Sequence, residues 1–106
     1  MVEFITYQGE KYPVRISSYA MEMAQKETGV GLGDIESNFE GQKALLWYSL
    51  VAGHRMAKKE LALKREDIVW ILDECYFEYI EITTKFARAI IEIQERLIEE
   101  GKSKKK

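Results

Sequence analysis

The chain has 106 residues, 18 acids against 16 bases, and a single His, a single Cys and a single Pro. One cysteine cannot close an internal disulfide, and one His with one Cys cannot build a four-ligand zinc site of the usual kind. No run of about 18 apolar residues exists to span a membrane, and Met1 to Tyr7 lack the basic and apolar regions of a signal peptide. At 46% hydrophobic and 32% charged, the composition is that of a folded chain, with a single domain expected over residues 1–100.

The formal charge of -2 is unevenly spread. Gly101 to Lys106 hold four lysines and no acid, which leaves 12 bases against 18 acids, or -6, in the first hundred residues. An acidic body repels nucleic acid, so no nucleic-acid partner is expected. The basic end, 101–106, reads as a disordered, solvated tail.

The chain opens as a β-hairpin over residues 2–16. Val2–Gln8 and Lys11–Ile16 are rich in β-branched and aromatic residues. Gly9-Glu10 between them suits a two-residue type II′ turn. That register sets Tyr7 opposite Tyr12 and Ile5 opposite Val14. It gathers Ile5, Tyr7, Tyr12, Val14 and Ile16 on one face. A lone hairpin is marginal in water, so this one must pack on helices.

A first helix over about 18–28 is capped by Ser17 or Ser18 and stopped at Gly29 in a left-handed C′ conformation. Asp34 or Ser37 caps a short helical turn through Ile35 that ends near Gly41. A central helix follows over about 42–59. Its segment Ala44-Leu45-Leu46-Trp47-Tyr48-Ser49-Leu50-Val51-Ala52 is apolar nearly all round, the mark of a buried helix. Residues 65–100 contain no Pro and no Gly and keep a helical pattern. They form either one rod of about 50 Å or two helices, about 65–82 and 84–100. Thr83-Thr84 is the weakest point, because β-branched residues resist the helix. The expected fold is α+β, mainly α, with the hairpin packed on a small bundle of three to five helices.

Chemistry is sparse. His54 sits near a helix end with no nucleophile nominated beside it, and reads as a surface or capping residue. Cys75 lies on the apolar stripe between Leu72 and Tyr79 and reads as a small buried hydrophobe. Glu74, Glu78 and Glu81 share a face that reads as solvated. Tyr76-Phe77-Glu78-Tyr79 reads as core. No catalytic residue, metal site or cofactor is expected. The one informative surface is at the end, where Phe86, Ile90, Ile93 and Leu97 recur at 4-3-4 spacing with Ala87, Ile91 and Ile98 beside them. This strip either packs on the protein's own body or takes a partner, another helix or a second copy through the same terminal helix.

The order of these signals resembles a known family. The hairpin Phe4–Ile16 leads to a helix ending Lys26-Glu27-Thr28-Gly29-Val30. A Leu32-x-x-Ile35 turn follows, then Ala44-Leu45-Leu46-Trp47-Tyr48-Ser49-Leu50, then Leu63-Lys64-Arg65-Glu66-Asp67-Ile68 with Ile71-Leu72-Asp73. Over roughly residues 3–75 this looks like the tail assembly chaperones of long-tailed, siphovirus-type bacteriophages and prophages. Lys64 departs from the capping Thr or Ser usual at that helix start. The resemblance implies a non-enzymatic protein that binds the tape measure protein and helps tail tube subunits polymerise around it. It also implies the major tail tube protein as a further partner, the cytoplasm of a bacterial host as the location, and absence from the finished virion. Two other readings fit the composition: a structural tail or head-tail connector protein, and a small regulatory DNA-binding protein. The latter would need a basic recognition helix, which these helices lack.

Overall fold

A computed structural model describes residues 2–104. Strands β1 (Glu3–Tyr7) and β2 (Glu10–Val14) form an antiparallel hairpin packed on four helices, α1 (Ser18–Thr28), α2 (Phe39–Ala57), α3 (Ile68–Glu74) and α4 (Tyr76–Lys104). Two 3-10 turns, Leu32–Ser37 and Arg65–Asp67, lead into α2 and α3.

The hairpin turns one residue earlier than the sequence suggested. Gln8 and Gly9 are its central residues, with φ of 53° and 79°. Two positive φ values make the turn type I′, whose twist matches that of the strands. The pairing becomes Ile5 with Tyr12 and Tyr7 with Glu10. The expected register was therefore off by two, an even slip that leaves every side chain on the face it was assigned. Ile5 and Val14 are buried on that face.

Both outer edges of the hairpin are occupied. Beyond β2, the Arg15 backbone N donates to the Ser49 carbonyl of α2 at 2.9 Å. This close approach needs Gly53, where a Cβ would lie 2.4 Å from the Pro13 carbonyl oxygen. Along β1, the N–H of Thr6 donates to the Glu78 carboxylate (3.2 Å) and that of Gln8 to Glu74 (2.8 Å). Cys75 Sγ donates to the Thr6 carbonyl at 2.9 Å. An open strand edge is a template for unwanted pairing, and here carboxylates fill its donors. Glu74 and Glu78 were expected on a solvated face; instead they fasten the strand.

Caps fix the helix ends. The Ser17 side chain accepts from Ala20 N, and Gly29 closes α1 at φ 70°. The Asn38 side chain accepts from Gly41 N, so α2 begins at Phe39 rather than near residue 42. Its C-cap, Lys58, takes a left-handed conformation (φ 56°). Arg65 pairs with Glu27 at 2.5 Å and lies over the rings of Trp47 and Tyr48, which ties the segment after α2 to α1 and α2.

The break in the last helical stretch falls at Cys75, not Thr83. The expected helices 65–82 and 84–100 are replaced by Ile68–Glu74 and Tyr76–Lys104. Thr83 sits inside α4, its hydroxyl donating to the Ile80 carbonyl at 3.0 Å. At Cys75, where α3 gives way to α4, the thiol and the flanking carboxylates reach β1. Residues 101–104, expected as part of a disordered tail, continue α4. The rest of that expectation, residues 105 and 106, lies outside the described residues.

The core joins Ile5 and Val14 of the hairpin, Ala20 and Ala24 of α1, Leu46 and Leu50 of α2, and Ile71, Cys75 and Tyr79 around the α3–α4 junction. The molecule measures 55 × 28 × 22 Å. Its long dimension comes from α4, whose 29 residues span about 43 Å at 1.5 Å each.

A candidate partner-binding surface on α4

The seam that anchors α4 also leaves the body. Tyr76, Tyr79, Thr83, Phe86, Ile90, Ile93 and Leu97 follow one another at alternating three- and four-residue spacing, which keeps them on one face. Tyr79 and Thr83 are buried and Phe86 is half-buried. Exposure then climbs to 38% at Ile90, 51% at Ile93 and 60% at Leu97. The stripe that begins as core ends as surface without changing its chemistry. Ile91 and Ile98 widen it and are themselves more than half exposed. Self-packing, one of the two expectations for this strip, thus stops at Phe86.

A groove of about 400 Å³ opens where α4 departs. Ile16, Met21, Ile35, Phe86, Ile90 and Ile91 are among its walls, with Glu36 at its rim. The Tyr79 hydroxyl near it is buried without a hydrogen-bond partner. Phe86 also walls a second hollow, of about 350 Å³, with Ile82, Lys85 and Glu3. The Lys85–Glu3 ion pair (3.2 Å) ties the root of α4 to β1. Of the four site residues expected from sequence, Phe86 and Ile90 meet in the groove, whereas Ile93 and Leu97 lie beyond it on the free part of the helix.

A second apolar surface was missed. Phe39, Val69, Trp70 and Phe77 are exposed, Phe77 at 87%. Phe39 and Val69 border a hollow of about 360 Å³ closed by Lys43, Leu72, Asp73 and Tyr76. The aromatic run 76–79 had been assigned to the core as a whole; only Tyr79 is fully buried. The available signal was spacing: Trp70 and Phe77 are seven apart and fall outside the stripe through Ile71, Cys75 and Tyr79.

Elsewhere the polar groups serve the fold. His54 is buried rather than at the surface, with Nδ1 2.6 Å from the Leu50 carbonyl, which assigns the proton to Nδ1. Burial and the nearby Glu78 and Glu74 push the Cys75 thiol from 9.0 up to about 12. Burial likewise holds the Tyr79 phenol well above its ordinary range. Among the described residues, no three His, Cys, Asp or Glu side chains come together as a metal site, and no helix is long and apolar enough to cross a membrane. Comparison with family models, with curated proteins and with solved structures gives no match to this chain.

Proposed function

We propose that the protein is a non-catalytic tail assembly chaperone of the long-tailed bacteriophage type, which holds its client through the apolar strip of α4. The client is the tape measure protein, a long helical chain with apolar stripes of its own. Held soluble and extended, it is presented to tail tube subunits for polymerisation. The observation that carries this reading is the seam: a face that packs as core up to Phe86 runs on, uncovered, through Ile90, Ile93 and Leu97. A partner helix laid along it would extend the packing already made by the body, which is how helix-in-groove recognition works. Glu92, Glu95, Arg96 and Glu99 on the remaining face are exposed and keep such a strip in solution. In this role the protein works in the host cytoplasm and is left out of the finished virion.

The test is co-expression with a tape measure protein of a long-tailed bacteriophage. Wild-type chain should co-purify with it and keep it soluble. Ile93→Asp with Leu97→Asp, both exposed positions, should keep the native circular dichroism and lose the client. Unchanged client binding by that folded double variant would refute the reading.

A further inference from the structure

One exposed face of the α3–α4 junction alternates acids with aromatics. Glu66, Trp70, Asp73, Phe77 and Glu81 follow one another at 4-3-4-4 spacing, and all five are exposed, Trp70 at 64% and Phe77 at 87%. The helical ladder carries through the junction. Cys75 N donates to the Ile71 carbonyl at 2.9 Å, and Tyr79 N to that of Cys75 at 2.8 Å. Residues three and four apart therefore stay neighbours from Trp70 to Glu81. An edge contact between the rings of Tyr76 and Phe77, with centroids 6.3 Å apart, joins this row to the hollow of about 360 Å³ bordered by Phe39, Val69 and Leu72. We infer that this face docks a basic amphipathic helix of another protein. Its apolar side chains lie in the hollow and against Trp70 and Phe77, and its lysines or arginines lie over the two rings and on Glu66, Asp73 and Glu81.

Charge chooses the occupant. From 66 to 84 the chain has six acids and no base. Glu74 and Glu78 are engaged by backbone N–H groups of β1, and Asp67 is half-buried, which leaves Glu66, Asp73 and Glu81 facing water. Among the described residues no base lies within ion-pair distance of these three. Lys43, which walls the hollow, is answered by Glu40 at 2.6 Å. A carboxylate beside an exposed ring suits a lysine or arginine in two ways: the ring face attracts the cation, and the carboxylate accepts its hydrogen bonds. The same charge repels nucleic acid and anionic lipid, and pairing this row with that of a second copy would set acid against acid. Area supports docking. Phe39, Val69, Trp70 and Phe77 together expose on the order of 500 Å² of apolar surface, the upper range for a patch on a lone molecule.

This inference does not depend on the client reading, and its test uses the full chain with a synthetic probe. The probe is a fluorescein-labelled amphipathic peptide of leucine and lysine, set against a peptide of the same pattern with glutamate for lysine. Anisotropy should show the lysine peptide binding and the glutamate peptide not, with binding that weakens several-fold as salt rises. Trp70→Ala with Phe77→Ala, both exposed positions, should keep the native circular dichroism and weaken binding at least about 10-fold, as loss of aromatic anchors does. Asp73→Lys with Glu81→Lys should weaken it similarly and flatten the salt dependence. Ile93→Asp with Leu97→Asp, on the free part of α4, should leave it unchanged. Equal binding of the two peptides overturns the inference. So does binding that survives Trp70→Ala with Phe77→Ala, or that is lost with Ile93→Asp and Leu97→Asp, which would seat the probe on the α4 strip. Sedimentation of the protein alone covers the remaining occupant: a dimer abolished by Trp70→Ala with Phe77→Ala would mean that a second copy fills this face, and would overturn the inference too.

Discussion

Glu74 grips Gln8 with both carboxylate oxygens, one taking the backbone N–H at 2.8 Å and the other the side-chain Nε2 at 2.9 Å. The two residues are 66 apart in sequence, and the contact fixes the end of α3 to the last position before the hairpin's glycine. With Cys75 and Glu78 it makes the β1 edge and the α3–α4 bend one structural unit. Glu74→Ala should therefore cost about 1 kcal/mol, hydrogen bonds to a charged acceptor being stronger than average but here exposed to water. Glu74→Gln should recover part of that, and urea unfolding monitored at 222 nm reads both.

The same unit sets a response to alkali. Cys75 ionises at 9.0 when unperturbed and at about 12 in the fold, so the native chain keeps a proton that the unfolded chain releases. Stability is whole below pH 9 and declines from there toward pH 12, by about 1.4 kcal/mol per unit at most. The raised Tyr79 phenol adds to the fall above pH 10. Denaturant midpoints at pH 7, 9 and 10 should show the decline beginning near pH 9, and Cys75→Ser should delay its onset. In the native state the thiol should label with an alkylating reagent only at the rate of unfolding.

Gly53 tests the seat of the hairpin. Alanine is the better helix former by about 1 kcal/mol. At this position its methyl would meet the Pro13 carbonyl, and neither backbone can yield without breaking the Arg15–Ser49 bond. Gly53→Ala should lower stability by about 2 kcal/mol, the usual cost of overpacking. A stabilised variant would mean that the hairpin slides freely over α2.

Tyr79→Phe should be neutral or stabilising, by up to about 1 kcal/mol. The ring fills the core, but the hydroxyl is buried without a partner, and such a group costs desolvation it does not recover. Thermal melts of the two proteins decide it.

Much of the fold was legible because it rests on local chemistry. Ser17, Gly29 and the apolar run through Leu46 and Leu50 announced α1 and α2, and alternation assigned the hairpin faces. The register was not legible in the same way. Gln8-Gly9 and Gly9-Glu10 are both acceptable turns, and an even slip leaves the burial pattern unchanged. The break at Cys75 was invisible for another reason. Thr83 is locally the poorer helix residue, but the break falls where Glu74 and Cys75 reach Gln8 and Thr6, nearly seventy residues away. The strip at Phe86 to Leu97 was readable from spacing, whereas its exposure depends on where the body ends. Phe77 was misplaced because aromatic content was weighed above position.

If the proposed client binding holds, the overhang of α4 also bears on how copies would crowd a long ligand. Phe86 to Ile98 covers about 18 Å of helix, yet the molecule is 28 by 22 Å across. A rod decorated by this chain at the density its strip allows could not carry every body on one side. Neighbours would have to alternate or spiral, so the girth of the hairpin end, rather than the reach of the helix, would set the closest repeat along the rod.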